Sequence, residues 1–174
     1  MFDVTTPGIS LDQLRLAGVV GANVRLSEIL MRSGQCDWKG PLRLRDDIVL
    51  NIRATYESSW MLLDDKIVVV TLHAIAAGAP ADEPSNPASE PAGINVDAVF
   101  DLYYELLGAP PPEDKRDELF SGFAAVNGPL NGWPYFREFV DSSVRRLGVN
   151  RGTLPLFRVP KFQSPPPAQT DKPK

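Results

Sequence analysis

The chain has 174 residues, a formal net charge of -4, 43% hydrophobic and 23% charged residues. That balance describes one ordinary globular domain with room for a real core. An acidic chain without a basic cluster argues against nucleic acid as the main partner, and no apolar run approaches the roughly 18 residues of a membrane span.

Cys36 is the single cysteine, so no internal disulfide can form, which fits a reducing compartment. The opening stretch MFDVTTPGIS has neither the positive start nor the apolar centre of a signal peptide. The expected location is cytoplasmic.

In chain order, residues 1–9 read as a loose N-terminal arm broken at Pro7-Gly8. Ser10 suits an N-cap, and Leu11, Leu14, Leu16, Val19 and Val20 support a short helix to about Ala22. Residues 24–32 read as a strand of mixed alternation. Gly34, Gly40 and Pro41 mark residues 33–41 as a turn or irregular connection.

Residues 48–56 alternate cleanly, with Ile48, Leu50, Ile52, Ala54 and Tyr56 on one face. After LLDD comes IVVVTLHAI, residues 67–75, apolar on both faces like a central strand or one whose second face meets a partner. Residues 76–93 lack any large apolar side chain and read as a flexible surface loop. The last strand puts Ile94, Val96, Ala98, Phe100, Leu102, Tyr104 and Leu106 on one face. Its other face holds Asp97, Asp101 and Glu105 and is expected to be wet.

Pro110-Pro111-Pro112 ends that strand, and the acids at 113–114 suit a helix start carrying Leu119, Phe120, Phe123 and Val126 inward. Gly128-Pro129 is expected to end this helix, with residues 127–132 a mobile crossover. A second helix then starts at an Asn131 cap and runs through Trp133, Phe136, Val140 and Val144 to Leu147 and Gly148. The apolar segment 154–160 follows, and residues 163–174, rich in proline, read as a disordered tail.

The expected architecture is α+β. A four-stranded antiparallel sheet, preceded by a short N-terminal helix, is backed on one face by two C-terminal helices. Residues 10–162 form one domain.

Little here is catalytic. His73 is the sole histidine, which excludes His-rich metal sites, and its place in an apolar strand suits a satisfied sheet histidine. Cys36 has no base beside it in sequence. No glycine-rich phosphate loop is present. Asp97, Asp101 and Glu105 share a strand face, but successive members stand about 13 Å apart by strand rise, which suits a solvated face more than a carboxylate pair. No catalytic residue, metal ligand or cofactor is expected. An enzyme would require a deep closed pocket around His73 or Asp97.

Trp133, Pro134, Tyr135, Arg137 and Glu138, then Gly148, Gly152, Pro155 and Pro160, form a pattern that resembles the SecB-like export chaperones. The strand with Phe100 and Tyr104 and the order of elements fit as well. The resemblance covers about residues 24–162, with its specific motifs in the last third. It implies a sheet backed by a long helix, assembled as a dimer of dimers. It also implies an ATP-independent holdase that takes unfolded or non-native polypeptides in hydrophobic grooves. General members of that family pass clients to the translocation motor SecA, and related members protect an antitoxin.

Under this resemblance the candidate client-binding residues are Phe120, Phe123, Leu130, Trp133, Tyr135, Phe139, Leu154, Leu156 and Phe157. The helix-like N-terminal segment and the tail weigh against SecA. They favour a specialised or phage- or plasmid-type variant, in which the same surface would be a dedicated adaptor for one partner such as an antitoxin or a phage protein.

Overall fold

The computed structural model describes residues 3–4, 9–39, 50–80, 93–147, 154 and 156–157. Its elements are β1 (Asp3–Val4), α1 (Leu11–Gly21), β2 (Val24–Lys39), β3 (Leu50–Leu63), β4 (Ile67–Pro80), β5 (Gly93–Leu106) and α2 (Glu113–Arg146). The sheet order is β1-β3-β4-β5-β2. β2, β3, β4 and β5 pair antiparallel, as the sequence implies, and the two-residue β1 adds in parallel to Arg53 and Ala54 of β3. α2 lies on one sheet face, and among the described residues no helix covers the other.

The α1 helix forms where its capping signals put it. The Gln13 N–H donates to Ser10 Oγ at 3.1 Å while the Ser10 N–H donates to Gln13 Oε1 at 2.8 Å. This capping box satisfies two donors that a bare helix start leaves unpaired.

The β3–β4 hairpin turns at Asp64 and Asp65, with φ of 51° and 52°. Positive φ at both central residues matches the right-handed twist of the flanking strands, and short acidic side chains tolerate it. The Lys66 N–H closes the turn on the Leu63 carbonyl at 2.9 Å.

Several expectations change here. β2 does not stop at Arg32: it continues through Lys39, so the described residues 33–39 of the expected turn are ladder. Its alternation is mixed because register shifts fall between Leu26 and Glu28 and between Met31 and Ser33. Each bulge inserts one residue and inverts the side-chain phase after it. Leu26 pairs with Tyr104, Met31 with Phe100 and Cys36 with Val96, so all three lie on the helix-facing side despite their mixed spacing.

Residues 76–80 also belong to a strand rather than a loop, since Ala76 pairs with Ala54 and Pro80 with Leu50. Small side chains suffice there because Gly78 sits tightly: a Cβ on it would lie 2.9 Å from Ile52 Cγ1. The rest of that expected loop up to residue 92, and the expected tail, lie outside the described residues.

The two expected C-terminal helices are one. α2 runs unbroken from Glu113 to Arg146 with Pro129 and Pro134 inside it. Gly128 and Gly132 are not stop signals but points of close approach to the sheet. A Cβ on Gly132 would lie 2.5 Å from Leu72 Cδ2, and one on Gly128 would lie 3.1 Å from Val70 Cγ1. Each proline costs α2 one backbone hydrogen bond, and packing of an apolar helix face offsets that loss. Arg145 and Arg146 close the last turn, where cations suit the helix dipole.

The core lies between α2 and the inward faces of β3, β4 and β5. Its largest fully buried side chains include Trp133, Phe120, Phe123, Phe136, Leu72 and Leu102. A smaller cluster joins Ile9, Ala17 and Val126, with Leu14 and Phe157 against it, and fixes α1 on α2. The paired helices approach closely because Gly122 leaves room for Leu16, whose Cβ lies 2.7 Å from the place of a Cβ at 122.

Candidate functional site: an apolar strip beside the long helix

Helical phase divides the candidate residues of α2. Phe120, Phe123 and Trp133 face the sheet at 0–1% exposure and are packing residues in this fold. Leu130 and Tyr135 are 44% and 47% exposed. Five residues along a helix rotate by about 140°, so these two lie on different flanks of α2. Phe139, one turn past Tyr135, shares its flank and is half-buried.

The Tyr135 flank meets the edge strand β2. A Cβ on Gly34 would lie 2.7 Å from Phe139 Cζ and 3.2 Å from Met31 Sδ. Further along, Ser143 hydrogen-bonds Cys36, whose thiol pKa is raised chiefly by burial. Leu26 and Met31 sit on this helix-facing side yet remain 39% and 51% exposed. Ile29, Cys36 and Trp38 are half-buried beside them. Because β2 is the last strand of the sheet, α2 covers its inward face only in part. The result is an apolar strip between β2 and α2, open to solvent.

The β2 members escaped the sequence reading. Bulges hide their shared face, and Gly34, a turn signal in sequence, instead makes room for Phe139.

The other flank of α2 holds the C-terminal segment. Arg137 lies two turns past Leu130 on the same side, and its Nε donates to the Leu154 carbonyl at 2.6 Å. Leu154 is fully buried, while Leu156 is 63% exposed. Phe157 packs edge-on to Tyr56 at 5.7 Å between ring centroids and tilted on Trp133 at 5.9 Å. The nine candidates therefore do not form one patch.

Polar groups lock the scaffold. Asn131, expected as a helix cap, lies mid-helix, and its Nδ2 donates to Tyr104 Oη at 2.9 Å. That hydroxyl in turn donates to the Asn127 carbonyl at 3.4 Å. Burial pushes the Tyr104 pKa up to about 12, with the Asn131 contact opposing it. So residues 127–132, expected to be mobile, are fixed to β5 through Asn127 and Asn131.

The open sheet face is not uniformly wet. Asp101 is buried at 6% exposure and takes both Arg32 Nε and Nη2 at 2.7 Å, with the Thr71 hydroxyl at 2.8 Å. Arg32 can reach it because it is the extra residue of the second bulge. His73 Nε2 meets Asp97 Oδ1 at 2.9 Å, and both side chains are 41% exposed. The pair lies on the sheet face opposite α2. Among the described residues, no three His, Cys, Asp or Glu side chains gather to hold a metal ion, and no helix is long and apolar enough to cross a membrane.

This sheet, with one long helix across it, is the fold of the SecB-like chaperones. The chain superposes on the SecB-like chaperone Rv1957 of Mycobacterium tuberculosis, solved in complex with a ChAD peptide from the Rv1956 HigA1 antitoxin. The TM-score is 0.68 at 18% identity, covering 84% of this chain and 100% of that one. No family model and no curated protein sequence matches the chain.

Proposed function

We propose that the protein is an ATP-independent holdase that binds unfolded or non-native polypeptide along the strip between β2 and α2. The observation that carries this reading is the strip itself: Leu26, Met31 and Tyr135 stand open beside half-buried Phe139 and Ile29. The SecB-like fold supports it. The client surface on this reading is Tyr135 and Phe139 with the β2 residues, extended on the other flank by Leu130 and Leu156.

An apolar anchor contributes roughly 1.5–3 kcal/mol when buried. Micromolar binding needs about 8 kcal/mol beyond the ordering costs, so several anchors must act on one extended client. β2 adds backbone groups at a sheet edge that is unpaired among the described residues, onto which an extended chain can lay as a further strand. A dimer of dimers would lengthen the surface, and the setting is cytoplasmic.

A second reading is a dedicated adaptor for one partner, such as an antitoxin. The antitoxin peptide bound by the similar Mycobacterium tuberculosis chaperone favours it over handover to SecA.

The test is suppression of aggregation of a chemically denatured client without nucleotide, together with calorimetry against an unfolded chain. No suppression and no binding would end the holdase reading. One stoichiometric co-purifying partner, with no effect on generic clients, would select the adaptor. A tetrameric mass is expected in solution; a stable monomer would leave the extended surface too short.

A further inference from the structure

At the start of β2 the apolar strip runs up to a cavity. About 390 Å³ of space lies between the end of α1, the end of β5, the connection at 107–112 and the first turns of α2. That is the size of a small-ligand pocket. Its walls include Val19, Val20, Leu106, Leu119 and Phe120, and Asn23 is the one polar side chain in its lining. Val19 is exposed as well, and Leu107, next in the chain to Leu106, is 63% exposed, so the mouth is apolar too.

Polar bonds hold these walls in place. Asn23 Nδ2 donates to the Val19 carbonyl at 3.1 Å and closes the end of α1. The Leu107 N–H donates to the Asn23 carbonyl at 2.9 Å, and the Leu106 N–H to the Lys66 carbonyl at 2.8 Å. Arg116 Nε donates to the Pro111 carbonyl at 2.9 Å, and the same guanidinium meets Asp65 at 3.2 Å. A cavity framed this way does not close by side-chain shifts alone, and an occupant need not order its walls. Its place relative to the strip follows from the register. Leu106 pairs with Val24, and Leu26, two residues on and on the same face, is the first exposed member of the strip. Gly34, under Phe139, pairs with Ala98. Ala98 and Leu106 are eight residues apart on β5, whose ladder with β4 has no register shift. By strand rise, about 27 Å therefore separate the cavity from the Phe139 end of the strip.

We propose that this cavity is an anchor site for one bulky apolar side chain of an extended client whose apolar run lies on the strip, so that the protein selects clients by the spacing of the two. The proposal rests on the holdase reading. Apolar surface continues from Val24 through Leu26 to Met31 on one face of β2, which lets a single chain engage both ends. The lining selects leucine or an aromatic ring, because a charged side chain would be desolvated there without a charged partner. An extended chain spans the gap with about eight residues. Two sites on one chain reinforce each other only when the linking segment matches the span. A client whose anchor lies closer to its apolar run therefore gains little.

The experiment uses the full chain and three fluorescein-labelled peptides, each carrying the run Leu-Val-Phe-Val-Leu in a Ser, Thr, Asn and Gln background. One has a further Phe eight residues before the centre of the run, one has it four residues before, and one has Ser in its place. The first is expected to bind at least about tenfold more tightly than the Ser peptide. The second should gain less than about threefold. Gly108→Trp plugs the cavity, and the fold accepts it because a Cβ at that glycine meets nothing within 4 Å. In this variant all three peptides should bind as the Ser peptide binds wild type. Val19→Lys puts a charge on the exposed wall in the last turn of α1, where the helix dipole favours it, and should do the same; it carries the test if Gly108→Trp does not fold by circular dichroism. Equal binding of the three peptides to wild type, or a gain that survives in the variants, would overturn the proposal and leave the holdase reading standing. Binding of no peptide would end that reading and the anchor with it. A change of solution mass in Gly108→Trp would put a second copy of the chain in the cavity and would likewise overturn the proposal.

Discussion

The ring of Phe139 lies over Gly34, so close that a Cβ on that glycine would come within 2.7 Å of Cζ. The atom in the way is the far end of a half-buried side chain, which can swing toward solvent. Gly34→Ala should therefore cost little stability, under about 1 kcal/mol. It should, however, move Phe139 out of the strip. On the holdase reading, client affinity falls while the melting temperature barely changes. Phe139→Ser and Tyr135→Ala should each weaken binding of an unfolded chain about tenfold or more, by loss of one apolar anchor. Calorimetry of these variants checks all three together.

Two other glycines give opposite signs for the same chemical change. Gly18 lies on the exposed side of α1, and an added Cβ meets nothing within 4 Å. Gly18→Ala should stabilise by about 0.5–1 kcal/mol through helix propensity. Gly132→Ala would put a Cβ 2.5 Å from the methyl of fully buried Leu72. Overpacking costs about 1–3 kcal/mol and exceeds the gain of about 1 kcal/mol in propensity. Denaturant midpoints should move in opposite directions.

Tyr104 predicts an alkaline limb in stability. Its folded pKa is raised from 10.0 to about 12, chiefly by burial. The folded state thus holds its proton where the unfolded chain has lost it. This contribution is fully present below about pH 10 and is lost as pH rises toward 12. A shift of that size corresponds to roughly 2–3 kcal/mol, and burial lifts Tyr56 in the same direction. Chemical denaturation from pH 8 to 11.5 should show the decline, and Tyr104→Phe should flatten it.

Tyr56→Phe removes a buried hydroxyl that has no partner among the described residues. It should raise stability at neutral pH by about 1 kcal/mol or leave it unchanged. A clear loss would mean that the hydroxyl is satisfied.

Arg32→Ala strips the fork from buried Asp101 and leaves the Thr71 hydroxyl as its described partner. Removing one partner of a largely buried pair should cost about 1–3 kcal/mol by denaturant titration. Asp101→Asn should cost somewhat less, because the amide can still accept from Thr71.

The order of helix and strands was legible because α1 carries a capping box and the core-facing halves of β3 and β5 alternate without interruption. Trp133, Phe136, Val140 and Val144 likewise marked the buried face of α2. Glycine and proline misled most. At 128–134 they read as a break, because local propensity says nothing about a sheet close enough to require a bare backbone. At 34 the same residue type read as a turn. Of the candidate surface, sequence could name the aromatics but not their depth. Tyr135 and Trp133 are two residues apart, yet one is open and the other sealed by the phase of the helix. Asp101 read as solvated because its partner, Arg32, stands outside the regular strand rhythm.

That rhythm has a consequence for how the chain tolerates change in length. The register of β2 runs past Ser27 and Arg32 without giving either a partner on β5. Deleting Ser27 alone would leave every other residue of the strand opposite its present neighbour, as would deleting Arg32 alone, at the expense of the Asp101 pair. Removing Gln35 instead would turn Cys36 and Trp38 to the open face of the sheet. β2 thus carries two spare positions, and shortening of this strand is absorbed at those two places and resisted at Gln35.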